Sequence, residues 1–115
     1  MTWDAVPQFD VGGSNTFQIT LFLGSGQYRI SYNGMTSTGA DVFGTGAIVG
    51  ASSGGASAPF VESDLSAKQL TKGTQPGFLA ELFTGAGGAE NFDLDGRCLK
   101  GNPTSAGSTP QVHLR

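Results

Sequence analysis

Between Thr16 and Asn33 apolar and polar positions alternate in two runs. Phe17, Ile19, Leu21 and Leu23 stand against Gln18, Thr20 and Phe22, then Tyr28, Ile30 and Tyr32 against Arg29 and Ser31. Successive strand side chains point to opposite faces, so the runs read as a β-hairpin turning at Gly24-Ser25-Gly26. One face is a continuous apolar row. The other is polar apart from Phe22. Burying the row requires a second layer.

Weaker patterns surround the hairpin. Thr2 to Val6 reads as a short strand closed by Pro7, and Gly12-Gly13-Ser14-Asn15 as a loop leading into the hairpin. Asn33-Gly34 is a turn dipeptide, Asp41-Val42-Phe43 a short strand, and Ala47 to Ala51 a short apolar run expected to be a buried strand. Ser52 to Ala58 is a Gly/Ser/Ala loop, and Pro59-Phe60-Val61 is extended. Ser63 to Leu70 offers either an irregular run or a turn or two of helix capped by Ser63 or Asp64. Gly77 to Phe83 mixes the two periods but is too short for a stable helix, so a strand is expected. Gly85 to Gly88 is a turn, and Asn91 to Asp95 alternates with Phe92 and Leu94 inward and both aspartates outward. From Lys100 periodicity ends, and two prolines interrupt the run. The expectation is an all-β fold, an antiparallel β-sandwich or barrel-like sheet built on the 16–33 hairpin with little or no helix. It forms a single domain over 1–99, followed by a disordered tail over 100–115.

Composition sharpens this picture. The 19 glycines added to the 37% of hydrophobic residues bring the apolar share to the ordinary globular level, while only 13% of residues are charged. Such a balance suits many turns and few exposed helices. Net charge is −3 and the six bases are scattered, so no surface for tracking nucleic-acid phosphates is encoded. No run approaches the length of a membrane span, and the first residues lack the basic start and apolar centre of a signal peptide. A single cysteine, Cys98, excludes an internal disulfide and reads first as a half-buried strand residue, with an interchain bond or reactive thiol as the alternative.

Several phrases carry a resemblance. Trp3 with Val6-Pro7, Asn15-Thr16-Phe17-Gln18 opening the hairpin, the Tyr-Arg-Ile-Ser-Tyr return strand, Ala47-Ile48-Val49-Gly50 and Asn91-Phe92-Asp93-Leu94 with Gly96-Arg97 together resemble the nidogen-type module. That module is a β-sandwich of bacterial secreted and surface proteins, and the resemblance covers roughly residues 2–99. It implies a non-catalytic structural or adhesive part of a secreted or cell-surface protein. In that family the Trp…Val-Pro strand lies mid-domain and Gly-Arg continues into an apolar strand. Here only two residues precede Trp3, and Cys98-Leu99 runs into a polar stretch, so the chain looks like the later half of such a module. Strand edges left without partners template pairing with a second copy. A homo-oligomer is therefore expected, with Phe22, Trp3 and Cys98 as interface residues.

Candidate chemistry is sparse. Gly50-Ala51-Ser52-Ser53-Gly54 fits G-x-S-x-G after a strand, but no helix can follow it as a nucleophile elbow requires, so a loop is the plainer reading. A serine hydrolase acting on esters or lactones would have to assemble Ser52, the only histidine, His113, and an acid such as Asp64. Gly44-Thr45-Gly46 with Gly50 has phosphate-loop glycines but leads into a strand rather than a helix, which favours a turn. Asp93 and Asp95, two apart on a strand, could bind calcium with Glu90, against the plainer reading of solvated carboxylates; Glu62 and Asp64 form a similar pair. Otherwise no cofactor is expected. Trp3, Phe22, Tyr28 and Tyr32 could form an aromatic platform for a glycan or a protein partner, which would make the chain a carbohydrate-binding module.

Overall fold

A computed structural model of the chain describes residues 1–8, 12–36, 47–54, 61–73, 77–84, 92–102 and 108–115. Among them eight strands form and no helix: β1 (Thr2–Gln8), β2 (Gly12–Phe22), β3 (Gln27–Asn33), β4 (Ala47–Ser52), β5 (Leu70–Lys72), β6 (Phe78–Phe83), β7 (Cys98–Gly101) and β8 (Gln111–Leu114). All pairings are antiparallel. Six strands form a sheet ordered β1-β2-β3-β7-β8-β5, while β4 and β6 form a two-stranded sheet. The all-β antiparallel fold expected from the alternation is the fold observed.

The hairpin register sets the core face. Phe17 lies opposite Tyr32, Ile19 opposite Ile30 and Leu21 opposite Tyr28, so these side chains share one face. Trp3 joins them from β1, its ring stacked on Phe17 with centroids 4.8 Å apart. Across β7 and β8 the row continues through Leu99 and Val112, both buried. Val49, Leu79 and Phe83 of the smaller sheet, together with Leu65 and Leu94 from irregular segments, complete the core. Gly101 is required where it stands, because a Cβ there would overlap the ring of Tyr28 opposite. At the turn the Phe22 carbonyl accepts from the N–H groups of Ser25 and Gly26, and Gly26 takes the left-handed φ of 70° that favours glycine. Leu23 therefore leaves the apolar row it was expected to extend, and is 92% exposed at the tip.

Structure and local pattern differ in four places. The stretch from Lys100 is not a tail throughout: Lys100 and Gly101 end β7, and β8 pairs with both β7 and β5. What holds β8 is non-local. Val112 enters the core, and Cys98 and Arg115 exchange two backbone hydrogen bonds of 2.9 and 2.8 Å. Gly12 to Asn15, expected as a loop, opens β2, where Gly12 and Gly13 absorb the irregularity with positive φ. Ser63 to Gln69 forms bends rather than helix, because Asp64 spends its side chain on the next turn's N–H groups. Phe92 to Asp95 keeps the expected burial alternation without being a strand; Arg97 N–H closes a turn on the Leu94 carbonyl at 3.0 Å. The expected elements over 41–43, 59–60 and 85–88 lie outside the described residues.

Candidate functional site

Strand β6 reads Phe-Leu-Ala-Glu-Leu-Phe, and its core face presents Leu79, Glu81 and Phe83. Glu81 thus occupies a position that an apolar residue would fill without cost. It lies opposite Val49 of β4 and is 3% exposed.

The segment after Val61 runs beside β6 and brings more acids to it. Ser63 N–H donates to the Ala80 carbonyl at 2.9 Å, Leu82 N–H donates to Glu62 Oε1 at 3.0 Å, and Leu65 N–H donates to Glu81 Oε2 at 2.8 Å. Asp64 Oδ1 accepts from the N–H groups of Ser66 and Ala67, an Asx-type turn that fixes its carboxylate. The irregular run after β6 supplies Asp93. Asp64, Glu81 and Asp93 each place a carboxylate oxygen within 4.8 Å of the others. The Ser66 hydroxyl stands between two of them, 2.9 Å from Asp64 Oδ1 and 2.6 Å from Asp93 Oδ2.

Electrostatics follow from burial and sign. Desolvation pushes the Glu81 carboxyl up to about 7; the Leu65 N–H opposes this, and the like charges of Asp93, Asp64 and Glu62 add to it. Chemically the arrangement can share a proton among carboxyl groups or offer oxygen donors to a hard cation.

The expected site residues are dispersed. Of the expected calcium set, Asp93 lies with Asp64 and Glu81, Asp95 accepts the Met35 N–H at 2.9 Å, and Glu90 lies outside the described residues. The expectation placed both aspartates on one strand; here both are exposed, but Asp93 precedes and Asp95 enters the turn closed by Arg97 N–H on the Leu94 carbonyl. Ser52 Oγ donates to the Gly77 carbonyl at 2.8 Å and accepts from Gly54 N–H. His113 stands on β8 opposite Lys100 and Leu70, on the sheet face away from the core, and Asp64 is committed to the carboxyl group cluster. The three lie in different elements and each has other partners. Gly50 belongs to β4, with β6 so close that a Cβ would meet Leu79 and Ala80. Cys98 is a half-buried free thiol on β7. Glu81 belongs to no motif. Its one sequence signal was a lone charge inside an apolar strand.

A second feature is apolar. Leu21 is 58% exposed and Ile48 64%, and Phe22 lies on the opposite face of the hairpin with the Arg29 guanidinium 5.8 Å from its ring centroid. Leu21, Phe22 and Leu23 make the hairpin tip an apolar projection, while Ile48 is exposed on β4. No protein-family model, curated protein or solved structure matches the chain.

Proposed function

We propose that the protein is a non-catalytic structural or adhesive β-module that associates with copies of itself, as part of a secreted or cell-surface protein. The observation carrying this reading is the apolar row of β2, which outruns its cover: Phe17 and Ile19 are half-buried, whereas Leu21 is exposed at the end of the row and Leu23 beside it in the turn is exposed as well. Contiguous exposed apolar side chains of this kind mark contact surfaces. Strand edges are the weaker route. β1 carries two register shifts and Pro7, and β5, the other edge, is only three residues long and ends in Lys72, so both edges of the large sheet are blunted. Tip-mediated contact is therefore favoured over edge pairing, with Phe22 as one contact and Trp3 and Cys98 in supporting positions at most. The Ser52 hydroxyl is engaged by the Gly77 carbonyl and the Gly54 N–H rather than by a base, which favours the structural reading over the hydrolase.

Light scattering across the micromolar to millimolar range tests the reading. Wild-type mass should exceed that of the 11.7 kDa monomer and rise with concentration, and Leu21→Ser with Leu23→Ser should restore the monomer without altering the far-UV circular dichroism spectrum. A wild-type protein that stays monomeric throughout would refute self-association.

A further inference from the structure

We propose that the hairpin tip of one copy seats in an apolar groove on the outer face of β4 and β6 of a second copy. This names the surface that receives the tip, and so it rests on the self-association reading above.

Register fixes which side chains share that face. Ile48 lies opposite Leu82, Gly50 opposite Ala80 and Ser52 opposite Phe78, alternating with the inward pairs Val49 with Glu81 and Ala51 with Leu79. A sheet face turned to solvent ordinarily carries polar side chains; this one carries no charge and a single hydroxyl. Its middle pair, Gly50 with Ala80, is also its smallest, so the face sinks there between Ile48 on one side and Ser52 with Phe78 on the other. Ile48 and Ser52 stand about 13 Å apart along the strand. The result is an open groove of about 380 Å³ lined by Ile48, Gly50, Ala51, Ser52, Phe78 and Ala80.

Area favours a tip in this groove over a tip against a tip. Leu21, Phe22 and Leu23 are 58%, 38% and 92% exposed, which at about 200 Å² for a large apolar side chain leaves about 400 Å² of tip in water. A specific contact covers roughly 800 Å² on each partner. Two convex tips meet over only part of their surface. A groove takes the whole projection and adds its own walls, Ile48 at 64% exposed and Phe78 half-buried. Neither the 21–26 turn nor the groove lining carries a charge, so docking desolvates no ion.

The backbone beside the groove is also unpaired. The Ala80 carbonyl accepts from Ser63 N–H and the Leu82 N–H donates to Glu62, so these residues of β6 turn their backbone groups away from β4. By the alternation of an antiparallel ladder, Ile48, Gly50 and Ser52 turn theirs away from β6. Among the described residues nothing pairs with them there. Their N–H and C=O groups can meet the turn backbone at Leu23 and Gly24, which would otherwise lose water without replacement.

Light scattering on mixed variants tests the contact. Leu21→Ser with Leu23→Ser removes the tip and leaves the groove; Ile48→Lys charges the groove at an exposed position and leaves the tip. Each variant alone should stay monomeric, and an equimolar mixture should recover a one-to-one dimer, because one protein supplies the tip and the other the groove. A mixture that stays monomeric, or an Ile48→Lys protein that assembles like the wild type, would overturn the groove while leaving tip-mediated association standing. A wild type that stays monomeric would refute self-association and this inference with it. Should Ile48→Lys not fold, Ile48→Thr keeps the β-branched shape and should weaken wild-type association about tenfold. Unchanged association in that variant would overturn the groove as well.

Discussion

Truncating Val112 to alanine separates a structured C-terminal strand from a tail most directly. Val112 is 3% exposed, lies opposite Gly101 on one side and Thr71 on the other, and belongs to the core with Leu99. Alanine removes two methyl groups, each worth about 0.8 kcal/mol of burial. A cavity term adds to this, because Leu99 and Thr71 are held by their own ladders and cannot collapse fully into the space. The sum is about 2 kcal/mol, a large part of the roughly 5–15 kcal/mol that stabilises a domain of this size. Urea denaturation, followed by the single tryptophan, Trp3, stacked on Phe17, and by far-UV circular dichroism, measures it. The midpoint should fall with the slope unchanged. A change below about 0.5 kcal/mol, the usual range for exposed positions, would refute the placement of β8.

Two further outcomes follow from buried polar groups. The Thr71 hydroxyl is buried without a hydrogen-bond partner, so the isosteric Thr71→Val should raise stability by about 1 kcal/mol in the same assay, and a loss would show that the hydroxyl is satisfied in solution. The folded-state pKa of Glu81 lies above the ordinary 4.5, at about 7, so the native state keeps a proton that the unfolded chain releases. Stability should be greatest below about pH 4.5, fall as pH rises to about 7 and level beyond, by at most about 3 kcal/mol; Glu81→Gln should remove that slope, and an unchanged slope would assign it elsewhere.

Local alternation carried much of the fold. The β2–β3 hairpin was legible because a period of two over six or more residues has one good burial solution, and the strand at Phe78 to Phe83 because a mixed pattern that short cannot make a stable helix. Phe22 was likewise legible as the apolar residue on the polar face. The inward Phe92 and Leu94 were read correctly even though no ladder holds them, since burial depends on the side chain and strand pairing on a neighbour.

What the sequence by itself determined was the all-β class and the central hairpin with its apolar row. Tertiary structure alone decided that Gln111 to Leu114 is a strand, since its pattern is too short to signal itself and its partners, β5 and β7, lie elsewhere in the chain. It also decided where the acids meet. Asp64, Glu81 and Asp93 come from three separate segments, and no spacing along the chain encodes a contact made by packing those segments together. Even the cost of Glu81 is invisible until Leu65, Leu79 and Phe83 exclude water around it, because a charge is expensive only in the environment that the finished fold supplies.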